Sequence, residues 1–510
     1  MILGAGGGGE GALTLDELNI GLLLGSSVLI VAIVAIRLAS RTSLPSLLLY
    51  LGLGVLLGQD VIGIEFSDDV LTRTLGYAAL VIILAEGGIT TNWSTMRPVV
   101  PAAALLATIG VGVSVMITGT AAHYLLDLNW QVSFLLAAIV SSTDAAAVFS
   151  VLRLLTVRPK LVGLLEAESG FNDAPVVILT VALSTTDAFG AGDLPSLLGL
   201  LVYELSVGLV VGVVVGFVGA AGVRRLALPS SGLYPIAVLA LAVLAYSGAS
   251  MIHASGFLAV YIAAVILGNS RLPHRPATRG FVEGLAWLAQ IGLFVLLGLL
   301  VSPDELGSDV LPAIAVGFVL LFVARPAAVF ASTVWFRMPW AEQAFLSWAG
   351  LRGAVPIVIA TIPVVEGVPD NERLFNIVFV LAVIYTLLQG PTLPLAARRL
   401  GVVAEAEPVD LDLEAAPLER LGAQVLQMRV PPESKMHGVE VFELRLPQGA
   451  SVSLIVRGGQ SLVPGGTTRI QRGDELLVVT PTAIRRATEE RLRAVSEHGR
   501  LAGWVDQNRP

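Results

Sequence analysis

Residues 163–183 read GLLEAESGFNDAPVVILTVAL. Apart from Glu166 and the six residues ESGFND at 168–173, the run is apolar and long enough to cross a bilayer. Charged side chains at membrane depth are costly, and where they occur they mark function by default. On a helix, Glu168 and Asn172 stand four apart, as do Ser169 and Asp173. Positions so spaced share a face, which brings a hydroxyl, an amide and a carboxylate together inside a membrane span.

The rest of the chain agrees with that setting. It has 510 residues, of which 55% are hydrophobic and 14% charged, against about 25% charged in a soluble protein. Mean hydropathy is +0.81. Apolar runs recur from residue 18 to about 400, so the fold class is an all-α polytopic membrane protein. A net charge of −8 supplies no basic surface for nucleic acid. The absence of cysteine rules out disulfides and thiolate chemistry. The start, MILGAGGGGEGALTLDELN, lacks the basic region of a signal peptide, so the first apolar run is expected to remain as a helix.

Breaks at Gly, Pro and charge clusters place helices near 18–38, 43–63, 70–90, 98–126, 130–152, 160–186, 194–221, 232–250, 254–270, 281–301, 309–336, 341–365 and 374–400, thirteen in all. With that count Lys and Arg fall almost wholly on one side. Arg37, Arg41, Arg97, Arg153, Arg158, Lys160, Arg224, Arg225, Arg271, Arg275, Arg279, Arg337, Arg398 and Arg399 stand against Arg73 and Arg373 on the other. The positive-inside rule then puts the N-terminus outside and the C-terminus in the cytoplasm of a cell-membrane protein. Arg325 and Arg352 remain, both within spans.

Two spans carry interruptions. AIVSSTDAAAV at 138–148 places Ser-Ser-Thr-Asp mid-span, and SWAGLRGAVP at 347–356 places Gly-Leu-Arg-Gly and a proline in another, seven helices later. Six helices, a linker helix at 194–221 and six more would put each break at the fifth position of its half. Paired broken segments point to an inverted-repeat transporter whose site lies where the breaks meet. Asp144 of the first break, and Glu86 of LAEGGIT, would face Asp173 and its neighbours. Such an oxygen-rich cup without His or Cys suits hard cations rather than zinc or copper. A carboxylate within it holds either a metal cation or a proton. If the two exclude each other, one site opened alternately to each side gives antiport, and Asp173 is the candidate. Glu168 needs a buried partner, for which Arg325 is expected. Arg352 would balance Asp144 or the carbonyl ends of half-helices. His123 and His253 are expected at the outer interface, and Asn269 and Arg271 simply to end a helix.

Taken together, EGG at 86–88, SSTDAAAVF at 141–149, ESGFND at 168–173 and GLRGAVP at 350–356 resemble the NhaP-type branch of the monovalent cation/proton antiporters, in the family's order and across essentially all of 18–400. The resemblance implies a homodimer in the lipid bilayer, thirteen helices per protomer, crossed broken helices, and a core that slides elevator-fashion against a dimerisation domain. It implies Asp173 as the shared cation and proton site. Ser169 and the Thr143 carbonyl would be neighbouring ligands, with Asp144 and Glu86 assisting. Asn172 stands where the electrogenic branch has a second aspartate, which implies electroneutral exchange. Glu168 and Arg325 resemble the family's structural ion pair.

Beyond residue 400 the composition changes. An N-terminal tail (1–17) and the membrane domain (18–400) are followed by an acidic linker (401–419), a small α+β domain (420–495) and a C-terminal tail (496–510). The runs AQVLQMRV, VEVFELRL, ASVSLIVR and DELLVVT alternate as strands do, and IRRATEERLRAV reads as a charged helix. This part resembles the C-terminal regulatory subdomain of potassium channels and transporters, found in potassium/proton antiporters of the CvrA-like group. No G-x-G-x-x-G opens a βαβ unit, so no nucleotide cofactor such as NAD is expected. A small ligand, cyclic di-AMP being one candidate, would bind at the subdomain's dimer interface.

The expected activity is electroneutral exchange of cytoplasmic K+ for external H+, with sodium/proton exchange as the near alternative, since the membrane ligands suit both ions. A regulated potassium channel would need a T-V-G-Y-G-like filter, and a metalloprotease H-E-x-x-H. A P-loop pump would need a lysine after glycine, whereas Lys160 and Lys435 follow Pro and Ser. None of these signatures occurs. No obligate protein partner is indicated.

Overall fold

In the computed structural model the described residues are 15–42, 46–58, 63, 68–144, 157–186, 191–226, 228–403, 414–418, 423–431 and 433–502. The expected N-terminal tail, most of the linker, the end of the C-terminal tail and residues 145–156 of the first broken span, including Arg153, lie wholly or largely outside them. The chain divides into two compact units, Met1–Val403 and Ala404–Pro510.

The first unit is helical. In chain order its segments are α1 (Leu15–Thr42), α2 (Ser46–Leu57), α3 (Asp69–Thr90), α4 (Trp93–Leu126), α5 (Trp130–Ile139), α6 (Pro159–Thr185), α7 (Leu194–Arg225), α8 (Leu233–Met251), α9 (Gly256–Asn269), α10 (Arg275–Leu299), α11 (Val310–Phe336), α12 (Trp340–Trp348), α13 (Ala354–Val365) and α14 (Asn371–Arg399). Among the described residues, seven of these are long and apolar enough to span a membrane; α6 is long enough but carries the acids of the opening stretch.

Two features interrupt these helices. The second expected break is present, residues 349–353 separating α12 from α13; at the first, α5 stops at Ile139 before the non-helical Ser141–Asp144, and the rest of that span lies outside the described residues. The second feature is not legible as a break. A π-turn occupies Leu106–Gly110 within α4, and another occupies Leu320–Ala324 within α11, just before Arg325. The first of these turns packs on Arg325–Thr333, the stretch that follows the second, with Ser332 Oγ donating to the Leu105 carbonyl at 3.2 Å. Single π-turns cluster at functional sites because they re-aim the side chains that follow.

The second unit is an antiparallel sheet of order β1-β2-β5-β3-β4, with β1 (Glu414–Leu418), β2 (Ala423–Arg429), β3 (Ser451–Arg457), β4 (Gln460–Leu462), β5 (Glu475–Pro481) and the helix α15 (Arg485–His498). Leu426, Met428, Leu476 and Val478 alternate into its core with Leu492 and Val495 of α15. Two expectations need correction here. VEVFELRL at 439–446 is not a strand: Val441–Leu444 form a 3-10 turn. Its apolar period is misleading, for Val439 and Leu444 are buried while Phe442 is 60% exposed. Glu440 and Glu443 close a capping box that draws the backbone into the turn. The stretch read as wholly linker holds β1, paired with β2 from Glu414↔Gln427 to Leu418↔Ala423.

Candidate functional site

The opening stretch lies in the middle of α6, where Glu168, Ser169, Asn172 and Asp173 are all at most 3% exposed. Pro175 lies two residues on and lacks the N–H that would bond the Phe171 carbonyl, loosening the helix ladder beside Asp173.

The i, i+4 face meets the first break directly. Thr143 Oγ1 lies 3.1 Å from Ser169 Oγ and accepts a 2.5 Å hydrogen bond from Asn172 Nδ2. Thus Asn172 uses its donor to hold the break, and its Oδ1 is left without a partner. Asp173 Oδ1 is likewise buried and unpartnered. Ser169, Thr143 and Asn172 are therefore one connected cluster. Asp144 follows Thr143 directly in the same break and is 1% exposed. Glu86 is 4% exposed on α3, a helix that packs on α6 and α13.

Asp144 joins the two breaks. Its N–H donates to the Leu351 carbonyl at 2.9 Å, and its Oδ2 accepts from the Ala354 N–H at 2.7 Å, the first amide of α13. A carboxylate there sits against the positive end of a half-helix. The opposite end is treated in the opposite sense: Arg352 Nη1 donates to the Ser142 carbonyl beyond the end of α5. Arg352 thus reaches a carbonyl of the first break, close to where α5 ends.

The Glu168–Arg325 pairing is present and forked. Arg325 Nη1 meets Glu168 Oε1, Nη2 meets Oε2 at 2.9 Å, and the side chains are 7% and 2% exposed. Arg325 Nη2 also donates to the Leu346 carbonyl near the end of α12, at 3.2 Å. The two glycines of Gly-Leu-Arg-Gly now have a reason. A Cβ on Gly350 would lie 2.8 Å from Arg325 Nε, and one on Gly353 would overlap the Asp144 carboxylate. Each glycine makes room for a charged side chain from another element.

The two arginines that break the positive-inside pattern are both paired, Arg73 with Glu366 at 3.1 Å and Arg373 with Asp309 at 3.6 Å. His123 stacks on Trp130 with ring centres 3.9 Å apart, and its Nδ1 lies 2.6 Å from the Leu128 carbonyl. Asn269 does more than end a helix: it donates to the Thr91 carbonyl and accepts from the Trp93 N–H, both at 2.9 Å, stitching α9 to the start of α4. A mostly apolar cavity of about 660 Å³ lies between α4, α6, α7 and α9, touching Phe171 and Pro175, and no carboxylate lines it.

These elements recur elsewhere. A family model described as "Sodium/hydrogen exchanger, transmembrane" matches residues 28–399, and a TrkA-C domain model matches residues 425–493. The chain belongs to the sodium/hydrogen exchanger family. It is 35% identical over 478 residues to a protein of Alkalimonas amylolytica named K(+)/H(+) antiporter NhaP, covering 92% of this chain and 82% of the relative. It is 34% identical over 473 residues to K(+)/H(+) antiporter NhaP2 of Shewanella oneidensis, covering 91% and 82%. The fold matches the structure of the sodium proton antiporter MjNhaP1 of Methanocaldococcus jannaschii, with a TM-score of 0.64, 22% identity, 76% of this chain and 100% of that one. This exchanger-family member is a monovalent cation/proton antiporter embedded in a membrane by several spans, with a TrkA-C domain after them. It is a transporter, which sets aside the channel, protease and pump alternatives.

Proposed function

We propose that the protein is an electroneutral potassium/proton antiporter in which Asp173 binds K+ and H+ in turn. The observation that carries the reading is the Asp173 carboxylate, 3% exposed, with Oδ1 unpartnered beside Ser169, Thr143 and Asn172. Among the described residues it forms no ion pair with Lys, Arg or His. A buried carboxylate without a fixed counter-charge is neutralised either by a proton or by a metal cation. Loading one therefore expels the other, and a site holding exactly one charge in either state carries no net current. Asn172 keeps it so, for it supplies oxygen and donor without a second titrating group. Ser169, the Thr143 carbonyl and Asn172 Oδ1 are the neutral ligands, with Asp144 and Glu86 shaping the cup.

In this reading the thirteen expected spans form inverted repeats, and two protomers dimerise through one domain. The other, carrying both breaks, moves the site between faces of the cell membrane. The C-terminus faces the cytoplasm, where the TrkA-C domain would take a small regulatory ligand. Cytoplasmic K+ leaves in exchange for an external proton. Potassium is preferred over sodium because the two relatives of greatest coverage described above are named for K+. The sodium reading keeps the same oxygens, and a 28% identical relative of Halobacillus aidingensis is named Na(+)/H(+) antiporter NhaH over 58% of this chain.

The test is reconstitution in liposomes holding a pH-sensitive dye, with an imposed proton gradient and potassium, sodium or choline salts added in turn. Collapse by potassium, unchanged by membrane voltage, is expected. Collapse by sodium alone would move the substrate to sodium, and voltage dependence would contradict one-for-one exchange.

A further inference from the structure

Gln389 lies in α14 with no exposed surface, and neither its Nε2 nor its Oε1 has a hydrogen-bond partner. A carboxamide carries two donors and an acceptor with two lone pairs, and burying all of them dry is unfavourable. Packing gives no reason for the amide, since neighbouring interior positions of the helix hold Leu381, Ala382, Leu393 and Ala397.

Position supplies a reason. Thr386, one turn earlier, donates to the Arg352 carbonyl at 3.1 Å, so this part of α14 lies against the second break. Gln389 is three residues further on, about 4.5 Å along the helix, toward the end that carries Arg398 and Arg399. One more turn brings Thr392, whose hydroxyl accepts from Trp348 Nε1 at 3.0 Å and contacts the Gln389 carbonyl at 3.2 Å. Thr386, Gln389 and Thr392 thus form a polar row along the mostly apolar second half of the helix, from the break toward the basic end.

We infer that Gln389 is a second, transient binding point for the transported cation, holding the hydrated ion between the cytoplasm and Asp173. The amide oxygen suits an alkali cation and the amide hydrogens suit the waters that accompany it. Because the group is neutral, it passes the ion on without competing with the carboxylate for the proton. The inference rests on the antiport reading and adds its cytoplasmic route.

The chain contains no cysteine, which permits a direct test in the full-length protein. Gln389→Cys is expected to react with a membrane-impermeant methanethiosulfonate applied from the cytoplasmic face, whereas Leu381→Cys on the same helix stays unreactive. Gln389→Leu is expected to raise the half-saturating K+ at the cytoplasmic face about tenfold, the scale of one lost hydrogen-bonding group, while melting no earlier than the parent. Gln389→Met serves if the leucine variant does not fold. An unreactive Gln389→Cys, equal reaction at Leu381→Cys, or parental half-saturation in the apolar variant would overturn the inference. If the parent itself exchanges no cation for protons, the antiport reading fails and the inference fails with it. Parental exchange with an unreactive Gln389→Cys removes the inference alone.

Discussion

Removing the Arg325 guanidinium should be among the most damaging single changes to the stability of the membrane unit. The group makes a forked contact with Glu168 and a third bond to the Leu346 carbonyl, joining α6, α11 and the end of α12, with both charged side chains nearly inaccessible. Arg325→Ala leaves a carboxylate buried without its counter-charge, which costs about 3–5 kcal/mol. It also leaves the Leu346 carbonyl short of a donor. Most of that penalty belongs to the orphaned charge rather than to the pair. The double variant Glu168→Leu/Arg325→Leu should therefore recover the greater part of it, since well-packed apolar replacements of buried pairs are often neutral. Unfolding of the purified protein in mixed detergent micelles, read by tryptophan fluorescence for the parent, Glu168→Leu, Arg325→Leu and the double variant, would give the four corners of the cycle. Two results would refute the reasoning: Arg325→Ala as stable as the parent, or a double variant losing the sum of the two single losses.

Three further outcomes follow from named contacts. Gly353→Ala places a methyl group against the Asp144 carboxylate; exchange should fall on the order of 100-fold, as ångström-scale misplacement does at a reactive site, in the liposome dye assay. Asp144→Ala removes the acceptor of the Ala354 N–H and should lower stability by about 1–3 kcal/mol, measured in the same detergent titration, with exchange reduced as well. In the TrkA-C domain the Glu440 N–H holds the Glu443 carboxyl below its ordinary value, with Arg500 assisting. A depressed acid contributes its stability above the unfolded value, about 4.3, and loses it as pH falls through the folded one. Backbone amides of the 3-10 turn should therefore keep their hydrogen-exchange protection from neutral pH to about pH 5, and lose it only in stronger acid.

What the sequence disclosed and what it hid have physical causes. The face of Ser169, Asn172 and Asp173 was legible because helical spacing alone sets it, and both breaks were legible because Ser-Ser-Thr-Asp and Gly-Leu-Arg-Gly are polar or small where a span should be apolar. The partner of Glu168 was legible because few buried cations exist to choose from. The π-turns were not: LATIG and LLFVA differ in no pattern from ordinary apolar helix, and the extra residue is accommodated by packing between α4 and α11. Asn269 was underrated because two of its three side-chain bonds reach residues nearly 180 positions away. Gln389 was passed over because one amide hardly alters the hydropathy of its span, and only burial without a partner singles it out. In the second unit, the alternation of Phe442, Leu444 and Leu446 imitates a strand, while the capping glutamates that decide the turn look like surface charges.

The central claim is that one carboxylate serves both ions. It is tested most directly by Asp173→Asn in liposomes, with potassium-driven proton movement measured beside size-exclusion behaviour and melting of the same preparation. The amide keeps the shape and the oxygen but can no longer exchange a proton for a cation. The account predicts a folded protein, as uniform and as heat-stable as the parent, with no proton-coupled potassium movement at any pH. Residual coupled exchange by a folded Asp173→Asn variant would contradict it.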